Sequence, residues 1–299
     1  MCLAAFAINT SARWPLVIAS NRDEFFDRPA LPLAQWQTAA GQCIISGRDV
    51  LAGGTWLGMT PAGRVALLTN VREPAASSKQ TAAKSRGELV MRWLESALDA
   101  EQFMAQTDSS AYGGFNLVLG DFQTGRWNWL SNRRFAAAGG FAAHRPEPIK
   151  WQSLALVPGI YGLSNAALDT PWTKTVGLKA ALANALEANK GTSSAGLEAD
   201  LWRALTDRSQ AVPRELPDTG VPSDIEKVLS SAFVADASRG YGTRCSTLLI
   251  ASAPANTEQS TRWSIRLDEN TYMRPGPDGS AGVRHGKTIT ELAQWQKAL

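Results

Sequence analysis

Pairs of short apolar runs joined by turn residues are the feature that most restricts the fold of this chain. These runs have the length of β-strands, and Gly, Pro and Asn between two of them are typical of hairpin turns. Strands linked in this way pair antiparallel, so we expect largely antiparallel sheets. The paired runs are residues 3–9 with 15–19, 54–60 with 63–69, 115–121 with 126–131, and 243–252 with 262–268.

Helical patterns occupy the intervals between these pairs. Ser85-Arg86-Gly87-Glu88 has the spacing of a capping box, and apolar residues at helical spacing follow it through Leu98. Antiparallel sheets with segregated helices are typical of the α+β class, and we expect a single domain over residues 1–299. The other predicted helices run from Thr170-Pro171 to about Ala188, along Leu197, Leu201 and Leu205, and from Ser223 through Phe233.

The composition is that of an ordinary folded protein. Apolar residues make up 44% of the chain and charged residues 19%, which is typical of a globular protein with a real core. A net charge of +3 without a Lys- or Arg-rich run argues against a nucleic-acid partner. The apolar run at residues 3–8 is far shorter than the roughly 20 residues of a membrane-spanning helix, and no secretory signal is recognisable. We therefore expect a cytoplasmic protein without membrane insertion.

Cysteine and histidine are both scarce. The three cysteines, Cys2, Cys43 and Cys245, have an odd count and no paired spacing, so the sequence predicts neither a disulfide framework nor a metal site. The only histidines are His144 and His285, which we interpret as loop or surface residues. This shortage favours a catalytic nucleophile that carries its own base.

Cys2 can provide both nucleophile and base. Removal of Met1, which a small second residue permits, would leave a thiol and a free α-amine on one residue. The α-amine has a reference pKa of roughly 7.7–8.0, so it can accept the thiol proton near neutral pH. The alternative is that a cysteine at position 2 is a chance occurrence.

Four polar residues, Asn21-Arg22-Asp23-Glu24, follow the apolar run at residues 16–19. If the first two strands form a hairpin, the end of the second lies beside the start of the first, which places Arg22 or Asp23 near Cys2. A carboxylate there could hold the α-ammonium group, and an arginine could lower the pKa of the thiol. The alternative is a solvated turn with a salt bridge.

The glycine-rich segment Gly53-Gly54-Thr55-Trp56-Leu57-Gly58 does not have the pattern of a phosphate loop. It lacks a Gly-Lys-Ser/Thr end, and a strand rather than a helix follows it. We expect its glycines to permit a tight turn or a close backbone approach beside the site. A purely structural role is the alternative.

Together with Cys2, these segments make the chain resemble the NRDE family, which includes the transport and Golgi organisation proteins. The resemblance spans residues 1 to about 250. It implies an N-terminal-nucleophile hydrolase fold, a four-layer αββα sandwich in which two stacked antiparallel sheets lie between helical layers. The matching blocks are residues 1–2, 21–25 with 28–29, 53–58, 68–72, 85–87, 113–117, 161–165 with 171–172, and 241–244.

More distantly, the chain is similar to the bile-salt hydrolase and penicillin V acylase branch of that fold. This resemblance implies that Cys2 attacks, Asp23 orients the amine, and asparagine side chains stabilise an oxyanion. We expect Arg22 and Arg244 to favour the thiolate. The candidate catalytic residues are Cys2, Arg22, Asp23, Asn70, Asn165 and Arg244, and the candidate substrate-binding residues are Asn21 and Trp56.

Two functions are compatible with these observations. The first is an amidohydrolase that acts on a linear, non-peptide C–N bond of a small-molecule substrate, with no metal and no cofactor. The second is a non-catalytic binding or carrier protein of the same fold, for which the resemblance suggests haem or lipid-related trafficking. The sequence carries no Cys-x-x-Cys-His haem signature. It indicates neither the substrate nor the oligomeric state.

Overall fold

The apolar runs of the sequence form two antiparallel sheets of seven strands each. The structure is a computed structural model that describes residues 2–73, 83–135, 146–190, 194–253, 264–274 and 283–291. Strands and helices are numbered along the chain over these described residues.

The first sheet carries both ends of the described chain. Its strand order is β10-β1-β2-β12-β13-β14, and β11 pairs with β12. In the register of the three central strands, Arg22 of β2 lies between Cys2 of β1 and Cys245 of β12. These strands are β1 (Cys2–Ile8), β2 (Leu16–Phe25), β10 (Gly159–Leu163), β11 (Ala235–Asp236), β12 (Tyr241–Ser252), β13 (Ser264–Tyr272) and β14 (Val283–Glu291).

The second sheet is a meander in chain order. Short connections join most of its neighbouring strands, which agrees with the hairpin pattern of the sequence. The strands are β3 (Ala30–Gln37), β4 (Cys43–Asp49), β5 (Leu57–Met59), β6 (Arg64–Asn70), β7 (Phe115–Asp121), β8 (Arg126–Arg134) and β9 (Glu147–Ala155).

The four-layer αββα architecture is confirmed. Phe6 and Ile18 of the first sheet pack against Leu67 of the second in the core between the sheets. Alternate residues such as Val17 pack instead against α3 and α4, while α1 and α2 cover the far face of the second sheet. The first sheet is therefore buried on both faces, which explains its continuous apolar strands. The helices are α1 (Gly87–Glu95), α2 (Ala100–Ala105), α3 (Thr173–Ala188), α4 (Ser194–Leu205) and α5 (Ser223–Val228).

Several elements differ from the sequence prediction. Strands β3, β4, β9, β10, β11 and β14 and helix α2 were not predicted; β3 and β9 are largely exposed and lack a continuous apolar run. The predicted strand at residues 54–60 is reduced to Leu57–Met59. His285 lies in β14 rather than in a loop. The turn predicted at residues 254–256, His144 and most of the loop predicted at residues 136–148 lie outside the described residues.

The start of α1 also differs. Its N-cap residue is Arg86, and no side chain caps it, so the predicted capping box does not form. Glu88 accepts hydrogen bonds from Lys84 Nζ (2.9 Å) and Tyr112 Oη (3.1 Å) instead. Among the described helices, none is both long and apolar enough to cross a bilayer.

Candidate active site

Cys2 opens β1 and faces the gap between the two sheets. It shares a face of the strand with Ala4 and Phe6, which pack in the core between the sheets. Its side chain is buried but lines a cavity of about 120 Å³, which we call the Cys2 cavity. The lining residues are Cys2, Arg22, Asp23, Glu24, Arg28, Asp49, Thr55, Trp56, Leu68, Asn70, Ser85, Arg86 and Gly87.

The pKa of the Cys2 thiol results from opposing electrostatic effects. Burial raises the pKa of Cys2, and the Asp23 carboxylate raises it further, while the charge of Arg22 lowers it. Arg22 thus favours the thiolate, as expected, but desolvation outweighs its charge and the pKa of Cys2 stays raised. A nucleophilic Cys2 therefore needs a base that removes its proton.

Arg22 lies opposite Cys2 on β2. Its Nη2 lies 3.3 Å from Asp49 Oδ2, and its guanidinium carbon lies 4.4 Å from the centre of the Trp56 ring. Its Nη1 is buried and has no hydrogen-bond partner among the described residues. Trp56 lines the cavity and also supports Arg22 through a cation–π contact; its substrate-binding role stays a prediction.

Asp23 belongs to the opposite face of β2, because the strand continues through Phe25 and successive side chains alternate. The four polar residues 21–24 therefore lie within a strand and do not form a turn. Asp23 is 1% exposed, and its Oδ1 accepts a hydrogen bond from Thr243 Oγ1 at 2.8 Å. Burial raises the pKa of Asp23, whereas the positive charge of Lys174 lowers it.

Asn70 and Asn165 meet beside Cys2. Asn70 ends β6 and lines the cavity, and Asn165 Nδ2 donates to Asn70 O at 2.7 Å. Ser164 Oγ lies 3.0 Å from Cys2 O and 3.3 Å from Asn165 Oδ1. An amide nitrogen carries two hydrogens, so this bond uses one donor of Asn165 and leaves the other.

The structure does not bring Asn21, Asn165 or Arg244 to the lining of the Cys2 cavity; Asn165 reaches it only through its bond to Asn70. Asn21 faces the helices, where its Nδ2 donates to Leu205 O and Ala232 O, each at 2.8 Å. Arg244 is the extra residue of a bulge in β12. Its Nη1 donates to the carbonyls of Phe25 (2.7 Å) and Arg28 (3.0 Å), so it holds the turn after β2.

Sequence reasoning missed Asp49 and its partner Arg28, which both line the Cys2 cavity. Asp49 Oδ2 accepts a hydrogen bond from Arg28 Nε at 2.6 Å, and Asp49 Oδ1 accepts one from Ala52 N at 2.9 Å. Burial would raise the pKa of Asp49, but these bonds and the charge of Arg22 hold it below its usual value. The only sequence signal for Asp49 is its position between an apolar run and Gly53-Gly54.

The predicted close approach of a glycine is confirmed. Gly53 has a φ of +74°, which favours glycine. At Gly54 an added Cβ would lie 2.5 Å from the carbonyl carbon of Gly87. The loop before β5 and the first residue of α1 therefore touch through their backbones, and Thr55 and Gly87 beside this contact line the cavity.

The described residues contain no group of three or more His, Cys, Asp or Glu placed to hold a metal ion. The cavity itself presents a thiol, carboxylates, an amide side chain and guanidinium groups.

Comparison with known sequences identifies close relatives. A family profile described as Transport and Golgi organisation 2 matches residues 1–261. The Transport and Golgi organization protein 2 homolog of Homo sapiens is 30% identical over 292 residues, which cover 91% of this chain and 100% of the human protein. The Mus musculus homolog is 30% identical over 287 residues, covering 91% of this chain and 98% of that protein.

Two solved structures give weaker matches. One is a Caenorhabditis elegans N-acylethanolamine-hydrolyzing acid amidase ortholog, with a TM-score of 0.45 and 11% identity, over 83% of this chain and 92% of that chain. The other is a C2A mutant of a conjugated bile acid hydrolase from Clostridium perfringens, with a TM-score of 0.45 and 7% identity, over 98% of this chain and 99% of that chain.

Proposed function

We propose that this chain, which belongs to the Transport and Golgi organisation 2 family, is a cysteine amidohydrolase of the N-terminal-nucleophile type. Its substrate is a small molecule with a linear, non-peptide C–N bond, and its expected location is cytoplasmic. The observation that carries the proposal is the placement of Cys2, Arg22, Asp23 and Asn70 around one buried cavity.

The reaction begins when Met1 has been removed. The Cys2 α-amine takes the thiol proton, and the sulfur attacks the amide carbonyl carbon. Breakage of the C–N bond releases the amine, which leaves with that proton, and the acyl group remains on sulfur as a thioester. Water then cleaves the thioester and releases a carboxylic acid. The raised pKa of the buried thiol makes the adjacent base necessary.

Asp23 and the asparagines have separate tasks in this scheme. The buried Asp23 carboxylate, fixed by Thr243, orients the α-amine. The remaining Asn165 donor and a donor at Asn70 stabilise the oxyanion that forms on the substrate carbonyl. Removal of one such donor typically lowers the rate about 100- to 1,000-fold.

Two mass measurements test the proposal. Protein purified from its native host should lack one methionine, and incubation with a library of amides should add an acyl mass at Cys2. The Cys2→Ala variant should take up no acyl group while its thermal unfolding midpoint stays near that of the wild type. Quantitative retention of Met1, or equal labelling of Cys2→Ala, would overturn the mechanism.

The acylation experiment, combined with a haem titration, also distinguishes the hydrolase from the carrier. A carrier would form no acyl-enzyme with any amide and would bind haem stoichiometrically in a Soret titration. That result would replace the hydrolase proposal with a haem-binding one.

A further inference from the structure

A larger groove adjoins the Cys2 cavity and shares part of its wall. The groove has a volume of about 1160 Å³, above the roughly 300–1,000 Å³ of most small-molecule pockets. Arg28, Ser85 and Arg86 line both spaces. A substrate with its reacting carbonyl at Cys2 therefore passes these three residues to reach the groove.

The groove is lined by five Lys or Arg residues, whereas only Glu73 and Asp108 are acidic. This excess gives it a positive potential, which attracts anions and is strengthened by the concave shape. The charge does not come from the whole protein, whose net charge is only +3.

Most of these cations already have a carboxylate partner. Arg28 pairs with Asp49 at 2.6 Å, and Lys84 pairs with Glu88 at 2.9 Å. Arg133 pairs with Glu73 at 2.6 Å. These three contribute little free positive charge.

Two of the five cations, the exposed Lys150 and Arg86, form no ion pair within the described part of the chain; of these two, only Arg86 also lines the Cys2 cavity. The one hydrogen bond of Arg86 runs from Nη1 to Gly114 O at 3.1 Å. The nearby Glu73 is occupied, since its Oε1 accepts from Arg133 Nε at 2.6 Å and its Oε2 from Gly114 N at 3.3 Å. Arg86 thus keeps guanidinium donors for a ligand at the junction of cavity and groove.

Two neighbouring features also favour an anion at this junction. Arg86 is the N-cap of α1, which has no side-chain cap, and the next residue, Gly87, lines the cavity, so the positive end of the helix dipole lies at the cavity wall. Independently, Arg22 is 6% exposed, lines the same cavity and has an Nη1 without a hydrogen-bond partner.

We infer that the substrate carries an anionic group, a carboxylate or a phosphate, close to the scissile amide, and that Arg86 binds this group. The inference rests on the proposed function and narrows its substrate class. Arg86 acts as a specificity-determining residue, whose planar guanidinium can bind two oxygens of the anion at once.

The test compares amides that differ only in charge. The probes are N-octanoylglycine, N-octanoylethanolamine and the phosphate ester of the latter. Binding is measured by calorimetry in the Cys2→Ala background, which removes turnover from the measurement. We expect at least one anionic amide to bind roughly 10- to 100-fold more tightly than the neutral one, as for a hydrogen bond to a charged group. The two anions distinguish a carboxylate from a phosphate ligand.

Substitutions in the groove show which residue causes the preference for the anionic amide. Adding Arg86→Gln should abolish the preference for the anion, and Arg86→Lys, which keeps the charge but loses the fork, should retain part of it. Lys84→Gln removes a paired, exposed charge from the same groove and should leave the preference unchanged. If Arg86→Gln proves unstable, salt provides a second test. The preference of the Cys2→Ala protein for the anionic amide should fall as the salt concentration rises from 50 mM to 500 mM.

The outcomes separate the two proposals. Equal binding of the three amides, binding of none, or tighter binding of the neutral one overturns the inference. Faster acylation of Cys2 by N-octanoylethanolamine also overturns it but leaves the hydrolase proposal intact. An anion preference that depends on Arg86, without acylation of the Met1-free protein, supports the anion site and refutes the hydrolase.

Discussion

The contact between Gly54 and Gly87 offers a direct test of how the Cys2 cavity is built. Gly54→Ala would place a methyl group 2.5 Å from the carbonyl carbon of Gly87, 2.7 Å from its oxygen and 2.9 Å from its Cα. All three atoms are backbone, so no side-chain rotation can relieve the clash. The loop and the start of α1 must move apart.

The size of the effect follows from these distances. Separation from 2.5 Å to the 3.4 Å of ordinary contact requires a shift of about 0.9 Å. Overpacking of this kind costs roughly 1–3 kcal/mol of unfolding free energy. A displacement near 1 Å of groups at a site can also lower a rate about 100-fold, so acyl-enzyme formation should slow as well.

Urea unfolding followed by tryptophan fluorescence measures the first effect. The matched control is Gly177→Ala on the exposed face of α3, where an added Cβ has no neighbour within 4 Å. In a helix interior, alanine is favoured over glycine by roughly 0.5–1 kcal/mol, so the control should be as stable as the wild type or more stable. A Gly54→Ala protein within about 0.5 kcal/mol of the wild type would refute this account of the wall.

Two further changes test the buried charges behind the site. The Glu226 carboxylate lies 2.5 Å from Arg72, and both side chains are at least nine-tenths buried. Glu226→Gln removes this negative charge and should lower the unfolding free energy by about 3–5 kcal/mol. Glu88→Gln removes the exposed ion pair with Lys84 but keeps an oxygen that can accept from Tyr112. It should lower the unfolding free energy by less than about 1 kcal/mol, and a larger loss would contradict the distinction between buried and exposed pairs. Burial lowers the pKa of Lys174 from 10.5 to about 8. Between these two pH values the folded protein has lost the Lys174 proton while the unfolded chain still holds it, so the unfolding free energy should rise from about pH 8 to 10.5. Denaturation curves over this range should show the rise in the wild type and not in Lys174→Met.

Local patterns were sufficient to predict antiparallel sheets with segregated helices, whereas the four-layer order was implied by the family resemblance. Apolar runs with turn residues between them mark pairs such as β7 and β8, and their hairpins follow from short-range chemistry. The missed strands lack that signal: β3 has the burial of an edge, with Gln35 exposed and Leu33 buried. Such strands form because a neighbouring strand pairs with them, and the apolar pattern of their own residues does not show which strand that is.

The site was predictable to the extent that strand pairing is local. The hairpin of β1 and β2 alone brings Arg22 opposite Cys2. Asp49 and Arg86 reach the cavity through contacts between sheets and helices, and nothing in their local sequence encodes those contacts. Arg244 was misplaced for the same reason, because a bulge of one residue directs it to the turn after β2.

The extension of β2 through its polar residues has a consequence for the chemistry. Because successive side chains alternate, Arg22 faces the space between the sheets, while Asn21 faces the helices and Asp23 lies on the same strand face as Asn21, at the border of the Cys2 cavity. Asn21 is fixed there by Ser246 at 2.6 Å, and Asp23 by Thr243 at 2.8 Å. A slip of one residue in the pairing of β2 would exchange the two faces, removing the guanidinium from Cys2 and placing a carboxylate in its position. The buried partners of Asn21 and Asp23 therefore stabilise the register that keeps Arg22 opposite Cys2.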